Sequence, residues 1–417
     1  MSRPSALARL AGFIRSPRFP LFMIVFVDTL GVGITMPVLP LYAKNTLGAV
    51  AWQITAMTSV YFAAQFLAAP WLGRLSDRFG RRPVLIVSQA GTLSALLLTG
   101  AAPALAWLYV ARVIDGLTGG NVSVAQAYMS DISDERNRAQ GLGTVQAGFG
   151  LGYVFGPAFG GLAASYFGPR LPFFIAAGVS VCTVLLSIFL LPESLPRERR
   201  QREEHAHAAQ PTRSLDLLRQ PALLILLAVA FLAQVAFFSF QTIHVLWAEQ
   251  VVLAGLPDEL VQRAVGGVLT LVGLCQIGVQ FGLIGPLVRR FGEARLVVAG
   301  RVIGATAFGM MALFHTPVVW VLSIPFVALG NGISLPTMIA LLTYAAPPGR
   351  RGQVIGLQQS FASAGSVVGP LLTGWVFQTY FPNASMITAC VLMALTALIA
   401  LNIFRFKLER PAPAPAR

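Results

Sequence analysis

The sequence predicts an all-α membrane protein with twelve transmembrane helices, arranged as two six-helix bundles related by a pseudo-two-fold axis. Three observations lead to this prediction: the hydropathy, the spacing of the apolar segments and an internal repeat. Of the 417 residues, 56% are hydrophobic and 11% are charged, with a mean hydropathy of +0.71. A soluble domain carries about 25% charged residues, so lipid is the expected solvent for most of this chain.

The apolar segments set the predicted elements and domains. A helix needs about 20 apolar residues to cross a bilayer, and twelve segments reach that length: 20–43, 51–72, 83–102, 105–129, 138–166, 171–191, 221–247, 263–285, 296–314, 317–345, 352–378 and 384–404. They predict an N-terminal bundle at 1–191, a cytoplasmic linker at 192–220, a C-terminal bundle at 221–404 and a cytoplasmic tail at 405–417. The linker contains His205 and His207. We favour the interpretation that these histidines belong to a solvated segment of mixed charge over the interpretation that they form a metal site.

Basic residues set the expected orientation. Of the 30 Lys and Arg residues, 25 fall in the termini and in alternate loops, which places both termini in the cytoplasm. The expected location of the chain is the bacterial inner membrane. The net charge of +14 does not indicate nucleic acid, because the cations lie at the ends of apolar segments rather than on one soluble face. The three cysteines, Cys182, Cys275 and Cys390, lie far apart in sequence and receive no role.

The two halves of the chain repeat. The segment 285–292 echoes 73–80 at an offset of 212 residues, and 365–370 echoes 152–157 at 213. Paired six-helix repeats are typical of secondary transporters. The second copy differs in one respect, since Arg289 stands where the first has Asp77, so the charged turn is complete only in the N-terminal half.

The first charged turn runs Gly73-Arg74-Leu75-Ser76-Asp77-Arg78-Phe79-Gly80-Arg81-Arg82. It resembles the G-x-x-x-D-R-x-G-R-R signature of the major facilitator superfamily. The resemblance implies the major facilitator fold and a conformational switch in which Gly73, Asp77, Arg78, Gly80 and Arg81 lock an outward-open state. Asp77 and Arg78 would pair with the facing bundle or with a helix end.

The fifth predicted span carries a glycine every fourth residue, at Gly148, Gly152, Gly156 and Gly160. Small residues at this spacing allow close helix packing in membranes. Together with Pro157, the series also resembles the antiporter motif of drug exporters. That resemblance, and not the packing physics, favours export over import.

Three ionisable residues in the spans are candidates for proton coupling, because a charge inside a membrane is costly. Asp28 lies about nine residues, or about 13 Å, into the first span, and no Lys or Arg stands three or four positions from it. Arg112 and Asp115 are three residues apart and share a helix face. Burial favours a neutral carboxyl and a guanidinium favours the charged form, so these groups could exchange protons. Asp28 is the expected carrier; the alternative for Arg112 and Asp115 is an inert pair that holds helices in register.

The segment Asp28–Pro40 is closely similar to the first span of the twelve-span drug:proton antiporters, especially the tetracycline:proton antiporters. Those exporters carry an acidic residue in the third span and a His in the eighth, where this chain has Ala95 and Gln276. We therefore expect a proton antiporter whose substrate is not tetracycline.

Polar and aromatic residues of the spans predict a substrate cavity that suits hydrophobic or amphipathic compounds. The expected lining residues are Tyr61, Gln65, Gln146, Gln234, Gln241, Gln276, Gln280 and Asn331, with Phe237, Phe238 and Phe240 as an aromatic wall. His244 could be a proton relay, a metal ligand or an interfacial polar group, and the last is favoured.

Together, these patterns predict a proton-coupled antiporter that exports small hydrophobic or amphipathic compounds by alternating access. A lipid or glycolipid flippase on the same fold is the main alternative, with a sugar or metal exporter less favoured and a receptor disfavoured. No catalytic set is found, so an enzyme is not expected. No cofactor is expected besides protons as the coupling ion, and the predicted partners are the substrate and membrane lipid, with the protein as a monomer.

Overall fold

The computed structural model describes residues 18–119, 121–133, 138–194, 214–347 and 350–406. Within these residues the fold is helical and contains no strand. The helices are α1 (Arg18–Leu47), α2 (Ala51–Phe79), α3 (Arg81–Ala101), α4 (Leu105–Thr118), α5 (Asn121–Asp131), α6 (Arg138–Phe167), α7 (Leu171–Phe189), α8 (Pro221–Trp247), α9 (Asp258–Gly278), α10 (Ile284–Phe291), α11 (Glu293–Leu313), α12 (Pro317–Ala345), α13 (Arg351–Thr379) and α14 (Ala384–Ala400). Short π-helical turns follow α8 (Ala248–Val252) and α9 (Val279–Leu283), and 3-10 turns lie at Ser214–Arg219 and Leu401–Arg405.

Helix boundaries follow local sequence signals. The helices α8 and α12 begin at Pro221 and Pro317, where the missing N–H of proline is not needed. Thr316 caps α12, because its side-chain oxygen accepts a hydrogen bond from the backbone N–H of Val319 at 3.3 Å.

Ten helical segments of the described chain are long and apolar enough to cross a membrane. The predicted spans 51–72 and 105–129 are not among them. The helix α2 is continuous over 29 residues, but Gln53, Gln65 and several hydroxyl groups lower its hydropathy. The predicted span 105–129 corresponds to two helices, α4 and α5, which are separated next to Gly119. Glycine costs about 1 kcal/mol in a helix, which favours a break there. The number of twelve crossings stays a prediction.

The described chain divides into two compact units. Unit 1 comprises the described residues of Met1–Gly48, Ala63–Pro211 and Pro257–Thr270, and unit 2 those of Ala49–Phe62, Thr212–Leu256 and Leu271–Arg417. Each unit therefore holds most of one repeat plus a short helical segment from the other half of the sequence. The predicted domain boundaries stay a prediction, and His205, His207 and residues 407–417 of the tail lie outside the described residues.

In unit 1, the glycine series of α6 packs directly against the backbone of α1. A methyl group added at Gly152 would lie 2.5 Å from the Phe26 carbonyl oxygen, and one at Gly156 would lie 2.6 Å from the Gly33 Cα. Gly148 meets α1 one turn earlier and Gly160 one turn later. The predicted close packing along this face is confirmed.

In unit 2, glycines at the repeat offset of 213 pack against a helix backbone in the same way. Methyl groups at Gly365 and Gly369 of α13 would lie 2.8 Å and 2.6 Å from the carbonyl oxygens of Phe231 and Val235 on α8. The charged turns also repeat, since Gly80 and Gly292 both adopt positive φ angles, of 104° and 77°. The internal repeat thus extends to backbone conformation.

We expect Gly152→Ala to lower the free energy of unfolding by about 1–3 kcal/mol, since the added methyl has no room beside α1. Gly178→Ala is the matched control, because a methyl there meets nothing within 4 Å. Unfolding of the purified protein in mild detergent, followed by circular dichroism against denaturant, measures both. Equal stability of the two variants would contradict the packing described here.

Candidate functional site

Asp28 lies ten residues after the start of α1, about 15 Å along the helix. Phe26 and Leu30, which lie two positions before and two positions after Asp28, contact the glycine face of α6. At 100° per residue, two positions correspond to about 200° around the helix, so Asp28 lies on the side of α1 that faces away from α6. Its side chain is half-buried. Glycine packing therefore fixes the direction in which this carboxyl is presented.

Arg112 and Asp115 form an ion pair on α4, as their spacing predicted. Arg112 Nη1 lies 3.3 Å from Asp115 Oδ2, and each side chain is 11% exposed. The side chain of Thr92 on α3 lies next to the Asp115 carboxylate. The pair thus ties α4 to α3, which is the geometry that a register-holding role requires.

Gln65 acts at the break between α4 and α5. Its side-chain Nε2 donates a hydrogen bond of 2.8 Å to the carbonyl oxygen of Gly119, immediately after the end of α4. Carbonyl groups at a helix end need such partners. This predicted cavity residue therefore also stabilises a helix end.

The charged turn is organised around Arg81, which is 8% exposed. Its Nη1 contacts Asp77 Oδ1 at 2.5 Å and Ser76 Oγ at 3.1 Å, and its Nε donates to Asp131 Oδ2 at 3.1 Å. Asp77 and Asp131 come from the ends of α2 and α5. One buried guanidinium thus joins three helix ends within unit 1.

Glu193 caps the first turn of α3. Its two carboxylate oxygens accept hydrogen bonds from the backbone N–H groups of Arg81 and Arg82 at 2.9 Å and 3.2 Å. A negative charge is favourable at a helix N-terminus. Arg82 donates in return to the carbonyl oxygens of Ser187 and Ile188 at the end of α7. The end of α7 and the start of α3 therefore hold each other.

Asp131 and Glu193 are not among the site residues that the sequence predicts. The available signal was their position, because both acidic residues follow an apolar segment that ends on the same side as Arg81. Gly73 and Arg78 differ from Arg81 in their surroundings. A methyl group at Gly73 would meet nothing within 4 Å, and Arg78 is exposed.

The predicted cavity residues fall into both units, and none of them except Phe240 is buried. In unit 2, Tyr61, Phe62, Phe237 and Phe238 form an aromatic cluster, in which the Phe62 and Phe238 rings lie 4.6 Å apart. Sequence reasoning missed Phe62. In the same unit, Gln234 donates to Ser366 Oγ at 3.3 Å.

The remaining predicted lining residues have exposed or half-buried side chains. Gln241, Gln276 and Asn331 are half-buried in unit 2, where Gln280 is exposed; Gln146 is exposed in unit 1. Pro157 of α6 lies beside α1, near Gly33. The roles of the predicted lining residues in substrate binding stay predictions.

Two expectations about α8 were wrong. Phe240 is not a cavity wall, because it is 5% exposed and packs against Phe308 with ring centroids 4.7 Å apart. His244 is not an interfacial group, because it is 1% exposed and lies between the rings of Phe240 and Trp320 at 5.1 Å and 5.8 Å. Within the described chain, neither ring nitrogen of His244 has a hydrogen-bond partner. Alternation along α8 alone could not separate its buried and open faces, since nearly all its residues are apolar.

Comparison with known proteins agrees with this architecture. A family model described as Major Facilitator Superfamily matches residues 21–357 and 264–417. The class D tetracycline resistance protein of Salmonella ordonez is 31% identical over 97% of this chain and 100% of its own length. Multidrug resistance protein 2 of Bacillus subtilis (strain 168) is 26% identical over 85% of this chain and 86% of its own length. A crystal structure of the nucleoside transporter NupG covers 94% of this chain and 100% of its own, with 13% identity and a TM-score of 0.78, which shows a shared fold.

We expect Arg81→Gln to lower the free energy of unfolding by about 1.5–3 kcal/mol, because Asp77 and Asp131 lose their charged donor. Arg78→Gln, three residues away and exposed, should change it by no more than about 0.5 kcal/mol. Denaturant titration in detergent compares the two variants. If Arg78→Gln proved the more damaging, the turn would not be organised around Arg81.

Proposed function

Because the chain belongs to the major facilitator superfamily, we propose that it is a proton-coupled antiporter that exports small hydrophobic or amphipathic compounds. The observation that carries the proposal is the placement of Asp28, an acidic side chain ten residues into α1 that the glycine packing turns away from α6. The relatives that are tetracycline and multidrug resistance proteins support a drug efflux role.

In this proposal, Asp28 carries the proton. A charged carboxylate inside a membrane is costly, so Asp28 holds a proton when its surroundings are dry and releases it when water or a substrate reaches it. Exchange follows if substrate and proton bind to different conformations of one cavity that opens alternately to each side. Each proton then contributes about 2.3 kcal/mol per 100 mV of membrane potential.

The proposed topology adds two crossings to the ten apolar segments, namely α2 and the α4–α5 pair. This gives two six-helix bundles, both termini in the cytoplasm and a monomer. The Arg112–Asp115 pair would keep α4 attached to α3 while Asp28 changes charge. The aromatic cluster around Phe62 and Phe238 supports a substrate with an apolar body, since aromatic walls with a few amides suit such compounds.

We propose that the charged turn locks the outward-open state. Arg81 and Glu193 make the end of unit 1 rigid, so that Gly73, Asp77, Arg78 and Gly80 move as one piece. The open side of Gly73, where a methyl group meets nothing within 4 Å, leaves room for another helix to approach in a different conformation.

Proton exchange in inverted membrane vesicles with an acidified lumen tests the proposal. We expect wild-type protein to alkalinise the lumen when a substrate is added, with tetraphenylphosphonium, tetracycline, a sugar and lysophosphatidylcholine as the panel. Asp28→Asn should insert normally and lose the response. The control Asp216→Asn, exposed in the short turn before α8, should keep it.

The Asp115→Asn variant distinguishes the role of Asp115 from that of Asp28. It should retain coupling and lose stability, because Arg112 is then buried without its carboxylate. An unchanged response in Asp28→Asn would remove Asp28 as the carrier. A wild-type response to lysophosphatidylcholine alone would replace drug export with lipid translocation.

A further inference from the structure

Arg301 is a buried cation inside unit 2. It lies on α11, about 12 Å from Glu293 at the start of the helix, and is only 4% exposed. It shares a helix face with Val297 and Phe308, which are 0% and 1% exposed. Within the described chain, its Nε has no hydrogen-bond partner. The fold therefore places a guanidinium in an apolar interior.

The described part of unit 2 offers no carboxylate at this depth. Its acidic residues are Asp216, Glu249 and Glu293. Asp216 lies in the turn before α8, and Glu249 in the π-helical turn after it. Glu293 lies in the first turn of α11, where the hydroxyl of Tyr344 donates to it at 3.1 Å. These three groups all stand at the ends of membrane-crossing helices.

Two comparisons within the chain show that this arrangement is unusual. Arg112 is also buried, but it lies 3.3 Å from Asp115. At the repeat offset of 212, the position of Arg301 corresponds to Gln89 on α3, which is fully buried and accepts a hydrogen bond from Ser187 at 2.9 Å. A neutral amide is sufficient at this place in the first repeat. The charge at Arg301 therefore is not required by the fold shared between the repeats.

We propose that Arg301 binds the carboxylate of a monoanionic amphipathic substrate. This inference rests on the proposed export function and specifies its substrate class. A buried charge without a partner is strongly unfavourable, and a guanidinium binds a carboxylate through two parallel hydrogen bonds. The other described cations of unit 2 lie at helix ends, so one guanidinium compensates one negative charge. The neighbours Val297 and Phe308 suit an apolar body.

Isothermal titration calorimetry on the purified full chain in neutral detergent tests this site, with 2-naphthoate as the anionic probe and 2-naphthamide as its neutral counterpart. We expect naphthoate to bind wild type at least tenfold more tightly than naphthamide. Arg301→Gln, which installs the side chain of the first repeat, should abolish that preference. Arg301→Lys should keep part of it, and Arg295→Gln, exposed on the same helix, should behave as wild type.

An anionic lipid headgroup presents the same chemistry, and nanodiscs separate the two sources. We expect naphthoate to bind equally well in phosphatidylcholine and in phosphatidylglycerol nanodiscs. Loss of binding in phosphatidylglycerol would overturn the proposal in favour of a lipid headgroup.

Equal affinity of wild type for naphthoate and naphthamide would also overturn it, and this comparison holds even if Arg301→Gln does not fold. The titration needs no proton gradient. Intact naphthoate binding without proton exchange in vesicles would therefore refute the export proposal alone, whereas proton exchange without naphthoate binding would refute the Arg301 site alone.

Discussion

Backbone contact between α1 and α6, repeated between α8 and α13, is the constraint on which the rest of the structure depends. Lipid provides no hydrophobic drive for helices to associate, so van der Waals contact must supply it. Glycine supplies it here by letting carbonyl groups approach where a side chain would clash, as at Gly152 and Gly369. The same contact fixes the rotation of α1. Asp28 is turned away from α6 because Phe26 and Leu30 are turned towards it.

The described buried and half-buried charges discussed above fall into three groups. Arg81 and Arg112 are compensated by carboxylates of their own unit, and these pairs join helix ends or neighbouring helices. Asp28 is half-buried on the side of α1 opposite to the packing face, which suits a group that must gain and lose a proton. Arg301 has no carboxylate at its depth among the described residues of unit 2. Arg81 and Arg112 are thus paired within their unit, whereas we propose an exchangeable proton for Asp28 and a substrate carboxylate for Arg301.

Much of the fold could be predicted, since apolar length and terminal prolines determine helix bounds; the predicted spans 221–247 and 317–345 coincide with α8 and α12. The break at Gly119 was missed because hydropathy does not report helix continuity. The candidate site was harder to predict. Helical spacing predicted the Arg112–Asp115 pair. Two of the partners of Arg81, Asp131 and Glu193, lie 50 and 112 positions away in the sequence, where helical spacing gives no signal. The burial of His244 and Phe240 depends on α11 and α12, and no local pattern on α8 encodes it.

The protonation of Asp28 is the central claim, and infrared difference spectroscopy tests it most directly. Acidification of the purified protein in lipid converts a carboxylate to a carboxylic acid, whose carbonyl band is separate from the amide bands. The chain has 16 Asp and Glu residues, so this band is a sum over several carboxyl groups. We expect Asp28→Asn to remove one component of the wild-type band and Asp115→Asn to leave that component in place. A band that persists unchanged in Asp28→Asn would show that another carboxyl takes up the proton and would contradict the proposed coupling.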